Sequence, residues 1–337
     1  MNITTLCYIN KNDKYLMLHR VSKKNDVNKD KWIGVGGHFE EGESPEECLF
    51  REVYEETGLT LKKFRFRGFI TFVSDEYGTE YMALYTGNID DSTDTKDVPL
   101  CDEGVLEWLT MDEILSLNLW EGDRIFFRLL RDRKDFFSLK LEYQGEVLKN
   151  AVLDGNEMEL FDIRDEEGNK TGVVRERNLA HECGDLHGTV HIWVYRETEG
   201  KREILLQKRS NDKDSFPGCY DISSAGHMKA GDEYDESALR ELEEELGIKA
   251  EMCELVPIGF HRGTSKSVFW GRKFINSEIS KIYLYRLKDN DIITLQKEEI
   301  QDIMWISVDD CIRKIKENDF KHCLFMDELE ILKEKIG

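Results

Sequence analysis

Residues 37–59 read GHFEEGESPEECLFREVYEETGL, and residues 226–248 read GHMKAGDEYDESALRELEEELGI. The second stretch repeats the first 189 positions downstream. The likeness extends upstream, where LMLHR ends at Arg20 and ILLQKR ends at Arg209, each 17 residues ahead of its motif glycine. A duplicated segment decides domain number more firmly than composition does. The offset is too long for a stacked solenoid, whose repeats run at about 20–50 residues, so each copy is expected to enclose its own core. A chain of 337 residues, 40% hydrophobic, is long enough for two.

The seam is expected near LDGNEME, residues 153–159, where Gly155 and Asn156 separate the apolar-patterned LKLEYQGEVLKNAVL from a new strand, MELFDI. This gives domains of residues 1–155 and 156–337 with no long flexible linker. TLCYI, KYLMLHR, FRGFITFV and EYMALYT carry strand signals in the first domain, as do VHIWVYR, EILLQKR and KIYLYRL in the second. MDEILSL with DRIFFRLLRDR, and SVDDCIRKIKE with FMDELEILKEK, carry helical periodicity. The mixture predicts the α/β class, with a mixed sheet between helices in each domain.

Within 37–59, a helix is expected from Ser44, with Pro45 at its first position and Glu47 closing a capping box, to a stop at Gly58. At about 100° per residue, Glu52, Glu55 and Glu56 then share one narrow face. An isolated run of that kind is usually a solvated acidic surface. Three carboxylates crowded beside Gly34, Gly36 and Gly37 also suit a divalent cation, with hard oxygen ligands on the helix and a backbone carbonyl at Gly36 completing the shell. Arg51 and Glu43 have the charges to lock loop to helix.

Position by position, residues 37–59 resemble the Nudix box: glycine, five residues, glutamate, seven residues, Arg-Glu, an aliphatic, one residue, Glu-Glu, one residue, glycine, aliphatic. The second copy keeps Gly226, Arg240, Glu241, Leu242, Glu244, Glu245, Gly247 and Ile248, and departs where Asp232 replaces the first glutamate. The resemblance implies two α/β/α sandwiches in which water attacks a substituted diphosphate with Mg²⁺, or Mn²⁺, as cofactor. It implies metal ligation by Glu52, Glu55 and Glu56, beside the Gly36 carbonyl, in the first domain, and by Glu241, Glu244 and Glu245 in the second, where Glu278 and Glu299 are candidates for an auxiliary metal ligand or a general base. The catalytic set is Glu55, Glu103 and Arg51 in the first domain and Glu244, Glu299 and Arg240 in the second, the arginines orienting carboxylates. Arg20 and Arg209 are candidate substrate contacts.

Residues 3–153 resemble the MutT-type 8-oxo-dGTP diphosphatases through KWIGVGGHFEEGE, CDEGVLEW and LWEGDRIFFRLL. That likeness implies hydrolysis of a nucleoside triphosphate to monophosphate and pyrophosphate, with Asp123 reading a purine edge and Trp120 as an aromatic wall. Gly122 and Ile33 depart from the pattern, standing where a second aspartate and an asparagine occur. Residues 158–312 are similar to the branch that includes type 1 isopentenyl-diphosphate isomerase, through ELFDIRDEEGNKTGVVRERNLAH, LHGTVHIWVY and FPGCYDISSAGH. The isomerase carries a cysteine where this chain has Ala225, which can neither give nor take a proton, so hydrolysis of a nucleoside or prenyl diphosphate is expected instead. ADP-ribose cleavage by either domain, and a non-catalytic diphosphate-sensing second domain, are the rival readings. His181, His187 and His227 fall near metal-binding positions of the isomerase, but their spacing is not kept throughout, and a single histidine is more often a hydrogen-bonded structural group.

Composition argues against polymeric nucleic acid, and an acidic enzyme acting on anionic phosphates needs a bound divalent cation to bridge like charges. The formal net charge is −22, which repels nucleic-acid backbones. The eight cysteines are scattered without C-x-x-C spacing, fitting reduced thiols in a cytoplasmic protein. No leader-like segment and no membrane-spanning apolar stretch is seen in the sequence.

Overall fold

The computed structural model describes residues 2–22, 26–90, 92, 101–213, 215–269 and 271–336. The chain divides into two compact units, Met1–Leu160 with Val174–Leu179, and Phe161–Val173 with Ala180–Gly337. The short strand Asn156–Glu157 pairs with Val147–Leu153 and completes the first sheet, so the first unit runs on to Leu160.

In the first unit, Asn2–Lys11 lies inside a mixed sheet, antiparallel to Lys14–His19 and parallel to Gly78–Asn88. Lys63–Ser74 follows, antiparallel to Gly78–Asn88 and parallel to Phe137–Gln144. Alternation along the strands sends Cys7, Ile9, Ala83 and Tyr85 to one face, where they pack on Leu49 and Val53 of the helix Pro45–Thr57. The helix Glu121–Asp132 covers the other face, with Phe127 against Tyr8 at 4.5 Å between ring centroids. The Pro45–Thr57 helix begins as its sequence dictates: Ser44 and Glu47 form a reciprocal capping box, and Gly58 ends it at φ 66°.

The second unit repeats the plan. Leu186–Thr198 pairs parallel with Arg272–Arg286 and antiparallel with Lys201–Arg209 and Ser224–His227. Val190, Ile192 and Val194 face Ala238, Leu242 and Leu246 of the helix Tyr234–Leu246. Trp193 packs on the opposite face with Cys311, Leu329 and Leu332 of the helices Val308–Lys316 and Met326–Ile336. Each unit is therefore an α/β/α sandwich of the expected class. The long hairpin Leu255–Phe269 with Arg272–Arg286 was not expected from sequence, because glycine, lysine and serine interrupt the apolar alternation of its first strand.

Candidate active sites

In the first unit, the glycine loop and the helix Pro45–Thr57 meet through their carboxylates. The Gly36 N–H donates to Glu56 Oε2 at 3.0 Å, and Glu56 is buried. The carboxylate of Glu52 fills the space beside Gly37, where an added Cβ would stand 2.4 Å from it. Only glycine leaves room for it. Arg51 donates from Nε and Nη2 to the two oxygens of Glu43 at 2.7 and 2.8 Å, and from Nη1 to Glu52 at 2.7 Å. The paired guanidinium holds Glu43 down at about 2. Glu55 turns outward, its side chain 59% exposed and 3.3 Å from Arg51. Arg20 is engaged by acidic groups rather than open to a ligand: it pairs with Asp26 at 2.8 Å and with Glu103, and comes within 4.0 Å of Glu56.

These groups line one cavity of about 490 Å³. Arg20, Arg51, Glu52, Glu56 and Glu103 stand around it together with Trp120 and Asp123, so residues a hundred positions apart in sequence share one chamber. Trp120 serves as both core and wall. Its ring is buried edge-on against Phe72 and Tyr143, and its Nε1 donates to Asn28 Oδ1 at 2.9 Å. Burial pushes the Asp123 carboxyl up to about 7, against the pull of Lys31 and Arg124. Its Oδ2 has no hydrogen-bond partner among the described residues. A side chain at Gly122 would have to displace its neighbours, since a Cβ would meet the Leu141 Cδ1 methyl at 2.4 Å and the Tyr143 hydroxyl at 2.8 Å. Asn28, Glu80 and Met82 also line the cavity; no sequence spacing pointed to them.

The second unit rebuilds the loop-to-helix contacts. The Ala225 N–H donates to Glu245 Oε2 at 3.1 Å, and the Glu241 carboxylate lies against Gly226 as Glu52 lies against Gly37. Burial pushes Glu245 up to about 8, opposed by hydrogen bonds from Ser224 and Ala225. Arg240 pairs with Asp232 through Nη1, while its Nε has no partner among the described residues. The shorter carboxylate makes one contact where Glu43 makes two. Arg209 is bound to Asp221 at 3.0 Å and to the Ser215 carbonyl, and Glu299 is held by Lys213.

His181, His187 and His227 come together despite their irregular spacing, with ligating nitrogens all within 4.8 Å of one another. Phe161 stacks on His187 and His227, and Phe274 on His181. Against the Asp185 carbonyl, which only accepts, His187 must donate from Nδ1 at 2.8 Å; this directs its Nε2 lone pair to the cluster. Glu278 lies 3.8 Å from His227, beside the histidines. Sequence spacing hid this cluster because its members sit on a short helix, a strand start and the glycine loop.

The NUDIX domain family matches residues 2–130 and 185–327. This chain belongs to the Nudix family, as two domains in tandem. It is 43% identical over 151 residues to Nudix hydrolase 3 of Arabidopsis thaliana, covering 44% of this chain and 19% of that protein, so the chain spans about a fifth of that relative's length. It is also 29% identical over 157 residues to the isopentenyl-diphosphate Delta-isomerase of Aliivibrio fischeri, covering 45% of this chain and 82% of that protein. Among solved structures, the MutT protein of Bacillus halodurans aligns at 26% identity and a TM-score of 0.39, covering 46% of this chain and 98% of that one. Among the described residues of this Nudix protein, no helix is long and apolar enough to cross a membrane.

Proposed function

We propose that the first Nudix domain hydrolyses a purine nucleoside triphosphate to monophosphate and pyrophosphate, and that the second hydrolyses another nucleoside or prenyl diphosphate. The observation that carries the first reading is the shared chamber, with box carboxylates and a buried Asp123, its carboxyl pushed up to about 7, beside Trp120 around one cavity. The donor set fits a hard divalent cation: carboxylate oxygens of Glu52 and Glu56 are crowded against glycine backbone, with Glu55 on the same helix and the Gly36 carbonyl within the loop. Mg²⁺ or Mn²⁺ bound there would screen phosphate charge and acidify water.

The chain's own residues supply the rest. Arg51 fixes Glu52 while holding the loop to the helix, and Glu103, which lines the chamber, or Glu55, which turns outward from the same helix, would take the proton of the attacking water. Asp123, as a carboxyl near its midpoint, can donate to or accept from a purine edge while Trp120 walls the ring. Incubation with 8-oxo-dGTP and Mg²⁺ should give 8-oxo-dGMP and pyrophosphate, and Glu56→Gln should lower the rate at least about 100-fold. Equal turnover of dGTP and its oxidised form would remove the oxidised-purine reading, and an inactive first domain would remove the whole of it.

In the second domain, Glu241, Glu244 and Glu245 stand as the first domain's trio does, and the three histidines with Glu278 offer a further nitrogen-and-oxygen set suited to a divalent ion. The sensing alternative predicts ligand binding without turnover. Assay of the Glu56→Gln chain on nucleoside and prenyl diphosphates, with and without Glu244→Gln, separates the two.

A further inference from the structure

The two domains can be compared residue by residue, because each strand register is defined. Thr4 lies opposite His38 in the first domain, and Thr189 lies opposite His227 in the second. Thr189 therefore takes the place of Thr4, and His191 that of Leu6. Carrying the registers across, Met82 becomes Ser280, Ile70 becomes His261 and Phe72 becomes Gly263. The residue ahead of the covering helix changes from Trp120 to Phe325, and that helix's third residue changes from Asp123 to Glu328.

Leu6, Met82 and Phe72 line the first domain's chamber and Ile70 is buried beside Met82, so an aromatic and aliphatic patch there becomes polar in the second domain. Glu328 cannot read a ligand as Asp123 can, because His191 binds one oxygen at 2.7 Å and Trp193 Nε1 donates to the other at 3.1 Å. Thr189 Oγ1 donates to Ser280 Oγ at 2.6 Å. His261 is different. Its side chain is 4% exposed, its ring packs on Phe325 at 4.3 Å, and Nδ1 lies 2.6 Å from Asp327 Oδ2. A carboxylate accepts only, so Nδ1 holds a proton, and in the neutral ring Nε2 then carries the lone pair. Nε2 has no partner among the described residues and leans into the space left by Gly263, 2.7 Å from where a Cβ would stand.

We propose that His261, its tautomer fixed by Asp327, is the specificity-determining group of the second domain and accepts a hydrogen bond from a hydroxyl on the organic part of a diphosphate. This rests on the reading of that domain as a diphosphate site, and it narrows the ligand to nucleoside or sugar diphosphates. A prenyl chain has no donor, and seating it here would leave a buried nitrogen unsatisfied. A site built to bind a hydroxyl discriminates strongly against an analogue that lacks it.

The test uses the full chain carrying Glu52→Gln and Glu56→Gln, which confines binding to the second domain. With Mg²⁺ present, calorimetric titration compares ADP-ribose, isopentenyl diphosphate and methylenediphosphonate. ADP-ribose should bind at least about tenfold tighter than isopentenyl diphosphate. His261→Phe should weaken ADP-ribose by about 10- to 100-fold and leave methylenediphosphonate within about twofold, a split that misfolding would not produce. Asp327→Asn, at a carboxylate 63% exposed, should weaken ADP-ribose in the same direction with an unaltered melting temperature. Isopentenyl diphosphate binding as tightly as ADP-ribose, or ADP-ribose indifferent to His261→Phe, overturns the assignment of His261. Failure of methylenediphosphonate itself to bind overturns the diphosphate reading beneath it.

Discussion

Two buried ionisable side chains, one in each domain, tie this protein's stability to pH in different windows. Asp123 is pushed up to about 7 by burial, so the folded first domain keeps a proton that the unfolded chain releases near 4. Stability from this group is therefore greatest below pH 4, falls as the pH rises to about 7, and is flat above it. Asp123→Asn removes the charge and its penalty. The variant should melt at the wild-type temperature near pH 4 and above it at pH 8, where its gain in stability is on the order of a few kcal/mol. An equal shift at both pH values would show that the carboxyl is not the cause. For His191, burial opposes charge, but Glu328 overcomes it and carries the imidazole up to about 9. Its contribution is complete below pH 6.5 and is lost as pH rises through 9. His191→Gln should flatten the loss of second-domain stability between pH 7 and 9.5, read by amide exchange of Leu186–Thr198; an unchanged slope would exonerate the pair.

At the level of elements, the two box helices show how one methylene propagates. Glu43 engages both Nε and Nη2 of Arg51, whereas Asp232 reaches Nη1 of Arg240 alone and leaves a buried Nε without a partner among the described residues. Asp232→Glu should restore the second bond and stabilise the second domain by about 1 kcal/mol, a rise of about 2–4 °C in its melting temperature. No rise would mean that Arg240 Nε is satisfied otherwise. These helices were legible in sequence because their signals are local: Ser44, Pro45, Glu47 and Gly58 each fix one backbone feature within four residues. Asp123 and Trp120 were legible through resemblance, and the chamber adds what no spacing reports, that they face Glu52 and Glu56. His181, His187 and His227 were named through the isomerase likeness, but their spacing did not show that they converge, which they do only after the sheet forms; Gly122 read as a departure, and Leu141 and Tyr143 occupy its side-chain space.

The molecule as a whole carries the same helix-and-loop device twice on an excess of 22 negative charges, and on the proposed function phosphate substrates would have to reach both copies. Like-charge repulsion makes approach dependent on ionic strength and on cations at the boxes. If each domain holds its own chemistry, Glu56→Gln should abolish turnover of the first domain's substrate by at least about 100-fold and leave the second domain's within about twofold, with Glu245→Gln doing the reverse. Both replacements are close to isosteric and keep an oxygen for the Gly36 or Ala225 N–H, so circular dichroism should be unaltered. Chelation with EDTA should remove both activities at once, and added Mg²⁺ should restore them. A single activity lost to either substitution would show one functional site served by both domains. An activity that survives EDTA together with both substitutions would remove the box carboxylates from the mechanism altogether.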